Sequence, residues 1–146
     1  EQLIVRQKDV MDNATPSTNS TAALALYRLG ALTGNSRYTQ HADQILRLLA
    51  RIATSAPSAF GNLLASVHLC HAGITEVALP GNQPDMLREH RKRWLPTVVL
   101  AWGEPYDSPL WTDRNQHSAY VCKEYACMKP ATSPDELVET LRVALA

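Results

Sequence analysis

Asp12, Asn13, Ser17 and Asn19 crowd one polar turn, Asp12-Asn13-Ala14-Thr15-Pro16-Ser17-Thr18-Asn19-Ser20, directly ahead of an Ala/Leu-rich run. Short Asp, Asn, Ser and Thr side chains bond nearby backbone groups, so the plainer role of such a turn is to cap a helix. Projected into a cavity, the same four residues would hydrogen-bond a hydroxyl-rich ligand, and they are the ligand-binding candidates. Cys122 and Cys127 form a second group. Their spacing is neither the Cys-x-x-Cys of a redox centre nor that of a zinc knuckle. Structural thiols are the plainer reading; a reversible disulfide makes Cys122 and Cys127 redox candidates, and metal ligation is a third alternative.

Other groups carry weaker signals. His68, Cys70 and His71 lie on one predicted helix, without the paired ligands of a tetrahedral zinc site, so no metal is expected. Arg88, His90, Arg91, Lys92 and Arg93 gather at the C-terminal end of another predicted helix, where positive charge complements the helix dipole. The Pro80-Gly81-Asn82-Gln83 turn offers free N–H groups to an anion but lacks a phosphate-binding glycine pattern. Trp102, Tyr106 and Trp111 fall in a Gly/Pro-rich stretch with Asp107, Asp113 and Arg114. They would form a sugar platform or pin the loop to the core, and pinning is favoured. There is no nucleophile elbow, no His-Glu-x-x-His and no identifiable triad, so no catalytic residue and no cofactor is assigned.

The elements that must position these groups change period near Gly73. Before it, Ala22 to Leu32 reads as a helix apolar nearly all round, stopped by Gly34, with Ser36 as the next N-cap. Tyr38, Ala42, Ile45, Leu46, Leu49 and Ile52 mark a second helix, and Pro57 opens a third bearing Phe60, Leu63, Leu64 and Val67. After it, Glu76–Leu79 and Thr97–Ala101 read as strands flanking a helix from Pro84 to Trp94, a parallel βαβ unit. Ala119–Cys122 is a third strand, and Ser133-Pro134-Asp135-Glu136 launches a closing helix with a capping-box signature. The fold class is α+β: three antiparallel helices followed by a small β-α-β-β-α unit.

The 146 residues suffice for one domain with a core of its own. Fourteen basic residues cancel fourteen acidic ones, so nothing pulls the chain toward nucleic acid or an anionic membrane, and neither is expected as a partner. No apolar run approaches the ~20 residues of a membrane-spanning helix. Three cysteines do not make a disulfide framework, which points to a reducing, cytoplasmic setting. Because the chain opens at Glu1 in folded-protein sequence, it is expected to be a piece of something longer.

Three stretches carry a family resemblance: the Asp12–Ser20 turn with its helix; the Glu76-Val77 strand with Pro80-Gly81; and Tyr120-Val121-Cys122 with Ala126-Cys127, Pro130 and the Ser133-Pro134-Asp135-Glu136-Leu137 helix start. Over essentially its whole length the chain resembles the C-terminal part of the thioredoxin-domain-containing family whose animal members are called spermatogenesis-associated. Thr18 departs from the family's usual Pro-Ser-Gly-Asn-Ser. The resemblance implies a parent with an N-terminal thioredoxin-like domain and an α/α toroid similar to those of sugar epimerases and glycosidases. Residues 1–73 would then be terminal toroid helices and 74–146 a small α/β cap. It further implies that the redox motif lies elsewhere in the parent and that this segment is not a competent enzyme alone. The expected partners are the rest of the parent, a sugar-like small molecule and, through apolar helix faces left uncovered, a second copy.

Overall fold

The computed structural model describes residues 9–146; residues 1–8 of the expected helical unit lie outside the described residues. The first helix, α1 (Thr18–Thr33), begins where Ser17 takes extended backbone and its Oγ accepts from Ser20 N–H at 3.1 Å. Thr18 is the first helical residue and has no positive φ, so the position where the family has Gly imposes no special torsion here. Gly34 stops α1 in the left-handed region, φ 70°, and its N–H bonds the Gly30 carbonyl. The N-cap of α2 (Ser36–Ser55) is Asn35, not Ser36, because the Asn35 side chain takes the Arg37 N–H at 3.1 Å.

Pro57 does not open the third helix. It starts a separate 3₁₀ turn, Pro57–Ala59; Phe60 (φ −136°, ψ 33°) then breaks the path, and α3 runs over Gly61–Ala72. The fully buried Phe60 ring explains the break, since it packs with Ala23, Leu49, Ala53 and Leu63 between the three helices. Helix α1 packs on both α2 and α3. At Gly30 the approach is close enough that a Cβ would sit 2.5 Å from Thr39 Oγ1.

Beyond Gly73 the chain forms β1 (Thr75–Leu79), α4 (Pro84–Arg91), β2 (Val98–Trp102), a 3₁₀ turn at Pro109–Trp111, β3 (Tyr120–Lys123), β4 (Ala126–Cys127) and α5 (Pro134–Ala144). The sheet order is β2-β1-β3-β4, with β1 and β2 parallel and the β1–β3 and β3–β4 pairs antiparallel. The molecule is thus a mixed α+β fold with five α-helices and a four-stranded mixed sheet among the described residues. The two-residue β4 adds to the three strands expected, and α4 ends three residues before Trp94.

Strand β1 is buried at every position, and its two-residue period decides what each side chain meets. Val77 and Leu79, with Val121, face Met86 and Leu87 of α4 and Leu137 and Leu141 of α5. Ala78, with Ala101, Tyr120 and Cys122, packs toward Leu110 and toward Leu32 of α1. Glu76 alternates in step with Ala78, which points its carboxylate toward the helical layer. Helix α5 is capped as its sequence demands, Ser133 Oγ taking Glu136 N–H at 3.2 Å. The Glu136 carboxylate reaches back one residue further than a capping box requires, bonding Thr132 N at 2.7 Å and its Oγ1 at 2.8 Å. Among the described residues no helix is long and apolar enough to cross a membrane.

Candidate functional site

The polar turn is drawn inward. Asp12 Oδ1 accepts from Ser17 N–H at 2.7 Å, and its Oδ2 accepts from Asn62 N–H at 2.9 Å and Leu63 N–H at 3.3 Å. Helix α3 has no side-chain cap from Phe60, so Asp12 supplies one from fifty residues away. Burial acts to raise the Asp12 carboxyl, but the bonds from Ser17, Ser20, Leu63 and Asn62 outweigh it and hold the group below the usual carboxylate range. Ser17 is buried as the α1 cap, Asn19 donates to the Asp9 carbonyl at 3.1 Å, and Asn13 is exposed. None of these four lines the cavities described next.

A cavity of about 310 Å³ opens between the helical layer and the sheet. Gly30 and Ala31 of α1, Thr39 of α2, Cys70 of α3 and the tip of the β3–β4 hairpin surround Glu76. Glu76 is 2% exposed, and its carboxylate is bonded by backbone N–H groups, its own and that of Tyr125 at 3.5 Å. Burial pushes its carboxyl up to about 7; the Tyr125 and Glu76 N–H groups oppose the rise and the Glu124 charge adds to it. Tyr27, on the same wall, donates to Asp43 at 2.5 Å, and burial together with that bond pushes its phenol up. A buried acid with little internal compensation, facing an open cavity, is the usual mark of a binding or catalytic position. Sequence reasoning passed over it, although a lone carboxylate in the apolar run Glu76-Val77-Ala78-Leu79 was a visible signal.

The hairpin tip is the other unusual feature. Glu124 and Tyr125 both adopt left-handed backbone, φ 51° and 63°, in a two-residue turn that normally takes Asn-Gly. The Tyr125 hydroxyl, 3.0 Å from both the Gly30 and Ala31 carbonyls, ties the tip to α1. Behind the tip, Cys122 and Cys127 face each other across the β3–β4 pair and are joined in a disulfide. The plainer expectation of separate structural thiols is therefore corrected: the two-residue turn sets Cys122 and Cys127 in register, which spacing alone does not reveal. Arg114 donates to Cys127 Sγ at 2.9 Å and lies 3.7 Å from Cys122 Sγ. Its guanidinium is held by the Leu110 carbonyl and by the Tyr120 ring, 4.4 Å below.

A second cleft of about 570 Å³ lies at the carboxyl ends of β1 and β2, between Asn82, Trp102, Trp111 and Arg114. Trp111 packs on the core and meets Tyr106 edge-on at 5.5 Å, as a pinning residue should. Trp102 stays exposed, with the Arg91 guanidinium 5.4 Å over its ring. Elsewhere in that basic cluster Arg88 pairs with Asp85 at 2.8 Å, and Lys92 and Arg93, just past the end of α4, pair with Glu89, whereas both ring nitrogens of His90 are buried without a hydrogen-bond partner. His68, Cys70 and His71 are exposed on α3, and no group of three or more metal-ligating side chains gathers among the described residues.

No family model matches the chain, and no solved structure matches it. Spermatogenesis-associated protein 20 of Homo sapiens is 26% identical over 155 aligned residues, covering 95% of this chain and 20% of that protein. An uncharacterized protein of Caenorhabditis elegans is 24% identical over 95% of this chain and 21% of its own length. Spermatogenesis-associated protein 20 of Rattus norvegicus is 24% identical over 95% of this chain and 20% of that protein. The chain spans about a fifth of the length of the curated relatives it matches. Along nearly its whole length, then, the chain is similar to a fifth of spermatogenesis-associated protein 20.

Proposed function

We propose that this chain is a small-molecule-binding segment of a longer protein of the spermatogenesis-associated protein 20 type, with the Glu76 cavity as its site. The observation that carries the reading is the 2%-exposed Glu76 carboxyl, weakly bonded and facing a cavity of about 310 Å³. A carboxyl that titrates near 7 both donates and accepts hydrogen bonds at neutral pH, which suits a neutral hydroxyl-bearing ligand. Thr39 and Tyr27 add hydroxyl groups to the same walls. A sugar-like molecule has this chemistry, in keeping with the α/α toroid that the family resemblance implies for the parent. On this reading the Asp12 turn braces α1 against α3, and the segment binds without turning over substrate, its partner being the rest of the parent. A thioredoxin-like domain elsewhere in that parent and a cytoplasmic setting belong to the same reading. In such a setting a disulfide such as Cys122–Cys127 is reversible rather than permanent.

The test is a melting-temperature screen of the chain against neutral sugars, polyols and small amines, repeated with Glu76→Gln. A ligand at a hundred times its Kd raises stability by about 2.7 kcal/mol. The expected result is a saturable upward shift that Glu76→Gln abolishes. No shift with any sugar, or a shift unchanged in the variant, overturns the reading; a shift with small amines alone keeps the cavity but replaces the ligand class with cations.

A further inference from the structure

We infer that Cys122–Cys127 is an exchangeable disulfide whose outer sulfur, Cys127, is attacked by thiols, with Arg114 as the group that stabilises the thiolate released. The two sulfurs are unequal. Cys122 is 1% exposed on the core side of β3, whereas Cys127 sits on the two-residue edge strand β4 and is exposed. An incoming thiolate therefore reaches Cys127 first. Arg114 is fixed beside both sulfurs, 2.9 Å from Cys127 and 3.7 Å from Cys122, by the Leu110 carbonyl and the Tyr120 ring. A guanidinium so placed favours the anionic form of whichever sulfur is released. A neutral packing role would not require a charged group against a disulfide.

The exchange balances as follows. An external thiolate attacks Cys127 Sγ, a new S–S bond forms there, and the Cys122–Cys127 bond breaks with its electron pair leaving on Cys122. A second external thiolate attacks the outer sulfur of the mixed disulfide and releases Cys127 as a thiolate beside Arg114. Two external thiols are oxidised to one disulfide, and the protein pair is reduced to two thiols, which take up through water the two protons the external thiols gave up. The hairpin tip favours opening, because Glu124 and Tyr125 hold left-handed torsions that L side chains rarely adopt. The inference stands on the sulfurs and Arg114 alone and is independent of what fills the Glu76 cavity.

The experiment uses the whole chain, with peptide mapping to separate the free, exposed Cys70 from the pair. Native protein is treated with dithiothreitol, and newly alkylated thiols are mapped. Oxidised glutathione is then offered to Cys122→Ala and to Cys127→Ala. We expect the native pair to open without denaturant and glutathione to join Cys127 in the first variant at least ~10-fold faster than Cys122 in the second. In Cys122→Ala, Arg114→Met is expected to slow Cys127 alkylation ~10-fold near neutral pH and move its pH midpoint upward, with Arg114→Lys restoring much of the effect. A pair that opens only in urea, equal rates at the two cysteines, or a pH midpoint indifferent to Arg114 overturns the inference. Should a variant not fold, the dithiothreitol result on the wild-type chain decides.

Discussion

Buried Glu76 and half-buried Asp12 are two carboxylates with opposite electrostatics. Asp12 is surrounded by N–H donors, and its carboxyl is held down; Glu76 is desolvated more than its two backbone N–H bonds offset, and its carboxyl is pushed up to about 7. The signs of their pH effects follow. A raised acid contributes stability that is present at low pH and lost as pH climbs from about 4.5 toward 7, since the unfolded chain gives up its proton first. Glu76→Gln should remove that loss, on the order of 2 kcal/mol after allowing for the open cavity. His90 acts the other way. Burial, with Arg91 and Arg93 adding to it, lowers its imidazole, so its term is lost as pH falls through the usual histidine range. The difference between wild-type and variant urea melts at pH 4.5 and 7.5 isolates Glu76. For Asp12→Ala, loss of the α3 cap should cost ~1–2 kcal/mol above pH 4, fading in stronger acid, and sugar-induced shifts in melting temperature should survive it. A folding-neutral Asp12→Ala that abolishes ligand shifts would instead return the site to the polar turn.

Elements meet where small residues or special torsions permit. Helix α2 lies on α1 over Gly30, and a methyl there would press on Thr39 Oγ1. Alanine favours a helix over glycine by about 1 kcal/mol, while overpacking costs 1–3 kcal/mol. The prediction is a net loss of ~1 kcal/mol for Gly30→Ala, recovered by adding Thr39→Ala and read from denaturant midpoints. If the single variant is more stable than wild type, the close approach is not a constraint. The β3–β4 hairpin depends on three ties instead: the disulfide, the Tyr125 hydroxyl on α1, and the Tyr125 N–H on Glu76. Tyr125→Phe removes the hydroxyl tie alone. It should leave the sheet intact while speeding amide exchange at residues 123–126, and unchanged exchange there would assign the tip to the disulfide.

For the whole molecule, helices α1–α3 leave apolar side chains uncovered. Leu48 is 72% exposed, and Ile52 on the same helix and Leu64 and Val67 on α3 are each more than 40% exposed. The curated relatives are about five times as long, so a parent chain has ample length to cover such faces. Alone at high concentration, the chain should self-associate through them. Light scattering should give a mass above the monomer's 16.1 kDa, returned to the monomer by Leu48→Lys. A concentration-independent monomer would show that these faces do not associate.

Much of the element order was legible because its signals are local. Ser17 before α1, Gly34 after it, Ser133-Pro134 at α5 and the apolar periods between them all act within a few residues, where capping bonds and side-chain spacing are set by the chain itself. The misplacements were short-range too: Asn35 rather than Ser36 caps α2, and Phe60 separates Pro57 from α3 because its ring is needed in the helical core. The candidate site was not legible in this way. Asp12 read as a local cap or as a ligand-binding group, and only packing brought the open end of α3 beside it for its carboxylate to cap. Glu76 looked like one residue of a short strand until that strand became the buried centre of the sheet. Cys122 and Cys127 carried no motif, and a left-handed turn of Glu124 and Tyr125 set them opposite one another. Local sequence determined where helices and strands begin and end. Tertiary structure decided which polar groups are satisfied and which face a cavity, because burial and hydrogen-bond partners come from segments distant in the chain.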